Sequence, residues 1–228
     1  MQCTKILTDE NNKELAVHGN YEFPCAVYFS YVSKYIAGEI DWHWHKEIEI
    51  INIYQGTLYV EIENKKFILS KGDSLFINSE EMHFMKMNTK EECVIISFVF
   101  NKSLICGDKG NNIEQKYIDP LINCKELSAL ELTKEDSKKL AQAYYSYSNN
   151  ILGYEIIVRN ILSEILLNII RKNQKLLEKS FVTSEVALTT GFYDQSHFIR
   201  NFKKIVKMTP LEYQSSINRI YFFKEEGE

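Results

Sequence analysis

Residues 56–78, GTLYVEIENKKFILSKGDSLFIN, contain three short runs of β-branched and aromatic residues, separated by turn-forming residues at Asn64 and Gly72. The first two runs predict a β-hairpin that turns at Asn64. Runs of the same kind lie on both sides of this stretch: FPCAVYFSYV (23–32), EIEIINIY (47–54) and ECVIISFVF (92–100). Several short strands at this spacing predict a β-sandwich or barrel over about residues 21–100.

Beyond Phe100 the pattern changes to one that is typical of helices. Residues 101–115 are polar and contain two glycines, which predicts a loop. Thr133 followed by Asp136 resembles a capping box and predicts a helix that runs to about Asn149. A second helix is predicted from about residue 153 to 171, because isoleucines recur at every fourth position and leucines widen the apolar face.

The composition narrows the class of protein. An apolar content of 45% and a charged content of 25% are ordinary for a folded domain. The five cysteines form no C-x-x-C pair and the first residues lack the apolar core of a signal peptide, which predicts a cytoplasmic protein. The most apolar stretch, residues 156–170, is interrupted by five polar or charged residues, so we expect no membrane span.

The charge is unevenly distributed along the chain. The net charge is −4, yet residues 171–219 contain nine Lys or Arg against four Asp or Glu. Residues 1–170 carry a charge of −7. An acidic front and a basic rear indicate two modules with different partners.

Two histidine-containing motifs lie within the predicted strands. The first reads H43-W-H45-x3-E49-x6-G56, and the second runs from Gly72 to His83. Residues two apart on a strand face the same side, so His43 and His45 are expected to point into the barrel, where Glu49 can join them. We expect His83 to come from a facing strand.

Over about residues 25–100 these motifs resemble those of the cupin family of small β-barrels. Asn78 and Glu80 stand where the second motif usually has Pro and Gly. Metal-bearing cupins use the four positions held here by His43, His45, Glu49 and His83, so the resemblance implies a site for a divalent metal. The alternative is a small-molecule effector pocket without metal, in which Trp42 and Trp44 join the same four residues.

A third motif, EVALTTGFYDQSHFIRNFKKIVKMTPLEY over residues 185–213, resembles the second helix-turn-helix of the AraC/XylS regulators. Asp194 is expected to cap a helix from about Gln195 to Val206, with Phe198 and Phe202 facing its core. Lys207 replaces the family's glycine before Thr-Pro, and a left-handed residue there is expected to cost about 1 kcal/mol.

The residues of this helix that face outward are the expected DNA contacts. Recognition helices present their first turns to base edges, which points to Gln195, Ser196, His197 and Arg200. Contacts with phosphates are expected from Lys203, Lys204 and Lys207. The alternative is a solvated charged face without a partner.

The resemblance predicts an α+β protein: an N-terminal cupin-like β-barrel, then helices, then a C-terminal all-α helix-turn-helix segment. The expected domains are a sensor at 1–150, a linker or dimerisation helix at 151–174, and a shortened helix-turn-helix segment at 175–228. Members of the family carry two helix-turn-helix units, whereas this chain has room for one, which weakens the expected DNA binding.

The expected function is that of an effector-responsive transcription regulator and not an enzyme, with DNA and a small-molecule effector as partners. A homodimer is expected through the helix around 153–171, although that helix can equally pack on its own barrel. One alternative is a sensor that binds no operator and acts through mixed dimers. A weaker alternative is a metal-dependent cupin enzyme, because the motifs supply no separate nucleophile or acid/base pair.

Overall fold

The structure, a computed structural model, describes residues 5–177 and 195–209. The chain divides into two compact units, Met1–Ile169 and Ile170–Glu228. The first unit thus includes most of the helix that the sequence suggested as a linker, and the expected boundaries at 150 and 174 stay predictions.

Two antiparallel sheets build the first unit. The five-stranded sheet has the order β1-β8-β3-β6-β9, and the four-stranded sheet has the order β2-β7-β4-β5. The strand bounds are β1 Cys25–Tyr31, β2 Glu39–His43, β3 Ile48–Gln55, β4 Thr57–Ile62, β5 Lys65–Ser70, β6 Ser74–Ile77, β7 His83–Met87, β8 Val94–Phe100 and β9 Ala129–Glu131. The predicted α+β class, with the strands in the N-terminal part and the long helices after them, is confirmed.

The alternation of apolar and polar residues explains the core between the sheets. On β4, Leu58, Val60 and Ile62 are buried, whereas the residues between them are partly exposed. They pack in one cluster with residues of both sheets, including Ile51 and Leu75. Burying each of these side chains contributes roughly 1.5–3 kcal/mol to folding, which is enough to fix the register of the strands.

The hairpin predicted at Asn64 is present. Strands β4 and β5 pair from Thr57–Ser70 to Ile62–Lys65, so residues 63 and 64 form the turn. At the other end of β4, Gly56 has φ +78°, and a Cβ there would lie 2.4 Å from the carbonyl oxygen of Glu92. The glycine that closes the first histidine motif is therefore required both by its backbone conformation and by the close approach of another segment.

The loop predicted over residues 101–115 is wrong in part. Helix α1 spans Ser103–Cys106, and a π-helical turn at Glu114–Ile118 leads into α2, Asp119–Ile122. The Asn111 side chain accepts hydrogen bonds from the backbone N–H groups of residues 113 and 114 and so caps the start of the π-helical turn. An apolar run of three residues, Leu104 to Cys106, is too short to show helical periodicity in the sequence, yet it is buried.

The two long helices follow the prediction. Helix α3, Lys134–Ser148, begins at Thr133, whose hydroxyl accepts a hydrogen bond from the backbone N–H of Asp136 at 3.1 Å. Helix α4 spans Tyr154–Lys172, and its buried residues include Val158, Leu162 and Ile165. This face is buried within one copy of the chain, and side-chain bonds from Lys139 to Glu164 and from Asn168 to Asp136 join α4 to α3. Packing on the barrel and pairing with a second copy both stay predictions. Among the described residues, no helix is long and apolar enough to cross a membrane.

In the second unit the structure describes helix α5, Gln195–Val206. Phe198 is buried, and its ring centroid lies 5.5 Å from that of Phe202, as the spacing predicts. Lys207 has φ +65°, so the residue that replaces the family's glycine does adopt the left-handed conformation. The expected first helix of the motif, with its caps, and the helix after Thr209 lie outside the described residues.

Candidate functional site

The histidine cluster consists of His43, His45, His83 and Glu49 and draws on both sheets. His43 ends β2, and His83 begins β7 as its direct cross-strand partner. His83 therefore comes from the adjacent strand, and the expectation of a facing strand is wrong. Glu49 is the member that the opposite sheet supplies, from β3. Strand order, which the motif spacing does not encode, decides this arrangement.

The four side chains of the histidine cluster are buried and close together. The ring centroids of His43 and His83 lie 4.1 Å apart, and those of His45 and His83 lie 5.3 Å apart. One potential ligand nitrogen from each histidine falls within 4.8 Å of the other two. The Oε2 atom of Glu49 lies 3.3 Å from the Nε2 atoms of both His45 and His83.

Backbone carbonyls set the tautomer of all three rings. The Nδ1 atoms of His43, His45 and His83 lie 2.7, 3.1 and 2.8 Å from the carbonyl oxygens of Asp41, Glu47 and Glu81. A carbonyl oxygen only accepts, so each Nδ1 carries the proton and, in the neutral ring, Nε2 keeps its lone pair. Metal-binding histidines are commonly oriented in this way.

One fully buried nitrogen of the cluster has no hydrogen-bond partner in the described part of the chain. His83 is fully buried, and its Nε2 atom has no hydrogen-bond partner among the described residues. Glu49 Oε2 is 3.3 Å away, but the two groups do not meet with hydrogen-bond geometry. A buried polar atom without a partner is costly, and a bound cation would satisfy it.

The protonation states differ among the members of the cluster. Burial, reinforced by the neighbouring His83, lowers the pKa of His43 to about 3, so this ring is neutral at neutral pH. Burial alone would raise the pKa of Glu49, but its contacts with His45 and His83 outweigh burial and hold that pKa well below its usual range. Burial alone would lower the pKa of His45, but its hydrogen bond with Glu49 outweighs burial and raises that pKa. The three nitrogens and the carboxylate can hold a divalent first-row metal.

A cavity of about 320 Å³ opens onto the cluster. Its polar lining includes His43, His45 and Glu49, and its apolar lining includes Ile40, Met85, Ile95 and Val99. Among the described residues that line it there is no Lys or Arg. The volume lies at the lower end of the range for small-molecule sites, roughly 300–1,000 Å³.

The sequence did not reveal three polar residues of this cavity. His18 Nδ1 lies 3.0 Å from the Tyr28 hydroxyl, and His18 Nε2 lies 3.2 Å from Glu14 Oε2. Burial, followed by the nearby Glu14 carboxylate, raises the pKa of Tyr28 to about 12, so its hydroxyl stays protonated. Residues 14 and 18 lie outside every strand and helix, so no periodicity marked them in the sequence.

The two tryptophans proposed for the pocket lie elsewhere. They flank His43, at the end of β2, and their side chains lie away from the cavity. Trp42 is 38% exposed and stacks on Phe84, with ring centroids 5.6 Å apart. The Trp44 indole donates a hydrogen bond to the carbonyl oxygen of Asn11 at 3.0 Å. Neither is among the described residues that line the cavity.

The proposed DNA-contacting cations lie on the exposed side of α5 and just after it. Arg200, Lys203, Lys204 and Lys207 are all exposed, whereas Phe198 faces inward. The side chains of Gln195, Ser196 and His197 lie outside the described part of the structure, and their base contacts stay predictions.

Comparison with known proteins identifies both segments. The cupin domain family matches residues 34–99, and the AraC family of bacterial regulatory helix-turn-helix proteins matches residues 184–215. The uncharacterized HTH-type transcriptional regulator YdeC of Bacillus subtilis (strain 168) is 26% identical over 238 residues, covering 91% of this chain and 80% of the relative.

Solved structures add two weaker similarities. Apo ToxT K231A from Vibrio cholerae strain SCE256 has a TM-score of 0.48 at 11% identity, covering 86% of this chain and 98% of its own. KdgF from Halomonas sp. has a TM-score of 0.26 at 28% identity, covering 28% of this chain and 59% of its own. The assignment rests on the two family matches and the curated relative: the chain joins a cupin domain to an AraC-type helix-turn-helix, which is the make-up of a DNA-binding transcription regulator.

Proposed function

We propose that the protein is an effector-responsive transcription regulator of the cytoplasm, in which a small molecule in the barrel cavity changes how α5 is presented to DNA. One observation carries this proposal: a cavity of about 320 Å³ opens onto buried ionisable side chains in a chain that also has a DNA-binding segment. The cavity is a sensor site in this proposal and performs no chemistry.

The histidine cluster supplies the polar anchor of the cavity. We propose that it holds a divalent cation through His43, His45, His83 and Glu49, because the carbonyl-bonded Nδ1 atoms leave the three Nε2 atoms to face it. His45 Nε2 would release the proton that it donates to Glu49 when the cation binds. When bound, such a cation would be a Lewis acid to which an oxygen atom of the effector can coordinate. Metal analysis of protein purified without added metal tests this point, and less than a tenth of an equivalent contradicts it.

On the DNA side, the proposed base contacts are Gln195, Ser196, His197 and Arg200, with Lys203, Lys204 and Lys207 on phosphates. Two or three base contacts at roughly 1–3 kcal/mol each give limited discrimination. A homodimer would raise it, since linked reading segments gain avidity.

The buried face of α4 restricts where two copies can pair. The exposed side of this helix carries Ile156, 65% exposed, and Leu167, 39% exposed. These residues are eleven positions apart and so lie on one face of the helix. We propose this strip as the dimer contact within the 153–171 helix, and light scattering at micromolar concentration tests it.

Capture of fragmented genomic DNA followed by sequencing tests the DNA-binding function. We expect a few discrete sites that persist at near-physiological salt, and a loss of about 1–3 kcal/mol of binding free energy at those sites in Arg200→Ala. The control is Lys90→Ala, which removes an exposed positive charge from the barrel unit. Diffuse capture that disappears with salt would reflect phosphate contacts alone and would favour a sensor that binds no operator.

A second candidate function is a metal-dependent enzyme, and the Glu14–His18–Tyr28 group favours it, because it places an acid/base pair beside the cluster. Incubating metal-loaded protein with a metabolite extract distinguishes the two by mass spectrometry. An enzyme converts many equivalents of a compound, and the His43→Ala, His45→Ala double variant does not. A sensor binds at most about one equivalent of a compound per chain and leaves it chemically unchanged.

A further inference from the structure

The N-terminal segment, residues 5–19, is attached to the residue that lies between two members of the histidine cluster. The backbone N–H of Glu14 donates a hydrogen bond to the carbonyl oxygen of Trp44 at 2.9 Å. The backbone N–H of Trp44 donates a hydrogen bond to the carbonyl oxygen of Asn12 at 3.1 Å. The Trp44 indole adds the bond to Asn11. Because Trp44 separates His43 from His45, the backbone of this segment is held in register with the two histidines.

This attachment brings a second carboxylate to the cluster. Glu14 Oε2 lies 4.0 Å from His43 Nε2, and the Glu14 side chain is 11% exposed. Glu49 approaches the same imidazoles from β3, and Glu14 approaches from the N-terminal segment. Residue 14 lies outside the stretch that matches the cupin family, 34–99.

The spacing of these atoms fits ligands of one cation. Two ligand atoms that are each about 2.1 Å from one cation lie roughly 3–4.2 Å apart. The separations of 3.3 Å between Glu49 and both His45 and His83 fall in this range. The 4.0 Å separation between Glu14 and His43 falls at its upper end.

We propose that Glu14 is a fifth ligand of the cation held by His43, His45, His83 and Glu49, so that cation binding fastens the N-terminal segment to the barrel. This inference rests on the proposed cation site. A second carboxylate also balances the charge of a divalent ion, which three neutral imidazoles and Glu49 alone leave at +1. If Glu14 serves only as the hydrogen-bond partner of His18, neither cation affinity nor the order of the segment depends on it.

Titration of the full chain, freed of metal by a chelator, with Zn²⁺ or Mn²⁺ alone tests the proposal. We expect Glu14→Gln to weaken cation binding at least tenfold in calorimetry. The matched control, Glu10→Gln, removes the same charge from an exposed position of the same segment and should stay within twofold of the parent chain. Equal affinities in the two variants overturn the proposal.

Hydrogen exchange gives a second readout that does not depend on affinity. Adding the cation to the parent chain should slow exchange of the Glu14 and Leu15 amides at least tenfold, and this protection should be lost in Glu14→Gln. His18→Ala removes the bond between residues 14 and 18 but keeps the Glu14 carboxylate, so it should keep the cation-dependent protection. This variant therefore separates loss of the carboxylate from a folding defect in Glu14→Gln. Exchange that is insensitive to the cation overturns the proposal, as does a parent chain that binds no cation. Neither outcome affects the DNA-capture test.

Discussion

Replacing Gly56 by alanine tests the account of how the first histidine motif is closed. Gly56 has φ +78°, and an added Cβ would lie 2.4 Å from the Glu92 carbonyl oxygen and 2.9 Å from the Cys93 Cα. The left-handed conformation costs a non-glycine residue about 1–2 kcal/mol. Forcing two backbone segments apart in a packed region adds about 1–3 kcal/mol. We therefore expect Gly56→Ala to lower the free energy of unfolding by about 2–5 kcal/mol in total.

Gly72→Ala is the matched control for this experiment. Gly72 has φ +83°, yet nothing lies within 4 Å of its added Cβ, so only the conformational cost of about 1–2 kcal/mol applies. The entropy that alanine removes from the unfolded chain is common to both variants and cancels in their difference. Urea unfolding followed by far-UV circular dichroism measures both. Equal losses in the two variants would refute the role given to the Glu92–Cys93 backbone.

Two further predictions concern pH and a helix cap. Because the pKa of His43 is about 3 in the folded protein and near 6.5 when unfolded, the unfolded state takes up the proton first as pH falls, and stability is lost between these values. We expect the free energy of unfolding of metal-free protein, measured in urea, to fall by about 1–2 kcal/mol between pH 6.5 and 5. The fall should be smaller in His43→Asn, and an equal fall in this variant contradicts the lowered pKa of His43. Thr133→Ala should cost about 1 kcal/mol of unfolding free energy, because the backbone N–H of Asp136 in the first turn of α3 loses its acceptor. Ser148→Ala, at the other end of α3, is its control, and equal effects would argue against the cap.

The features that the sequence predicted are those with a local signal. Alternation of side chains predicts that His43 and His45 face the same cavity, and the two-residue turn predicts the β4–β5 hairpin. Strand order has no such signal, so the motif spacing does not show that His83 lies beside His43 on the adjacent strand. The buried helix at Leu104 was missed because its apolar run covers less than one and a half turns.

The contribution of Glu14 to the cavity depends on contacts between distant parts of the chain. Its segment is held by backbone hydrogen bonds to Trp44, and backbone groups are the same in every residue type. Trp44 was assigned to the pocket because it lies beside two histidines, whereas its indole anchors the segment from the other side. A pattern of residue types cannot show whether Trp44 lines the pocket or anchors the N-terminal segment. The pairing of residues 11–14 with Trp44 decides between the two roles.

The placement of the tryptophans has an optical consequence. The chain contains two, and both lie next to His43. The Trp44 indole bonds to Asn11 with the Lys13 ammonium 5.7 Å from its ring, so its emission wavelength depends on where the N-terminal segment lies. Trp42 is stacked on Phe84 away from the cavity and provides a nearly constant background. The unlabelled protein therefore carries its own fluorescent reporter, and a shift in its emission can follow movements of residues 11–14 in real time.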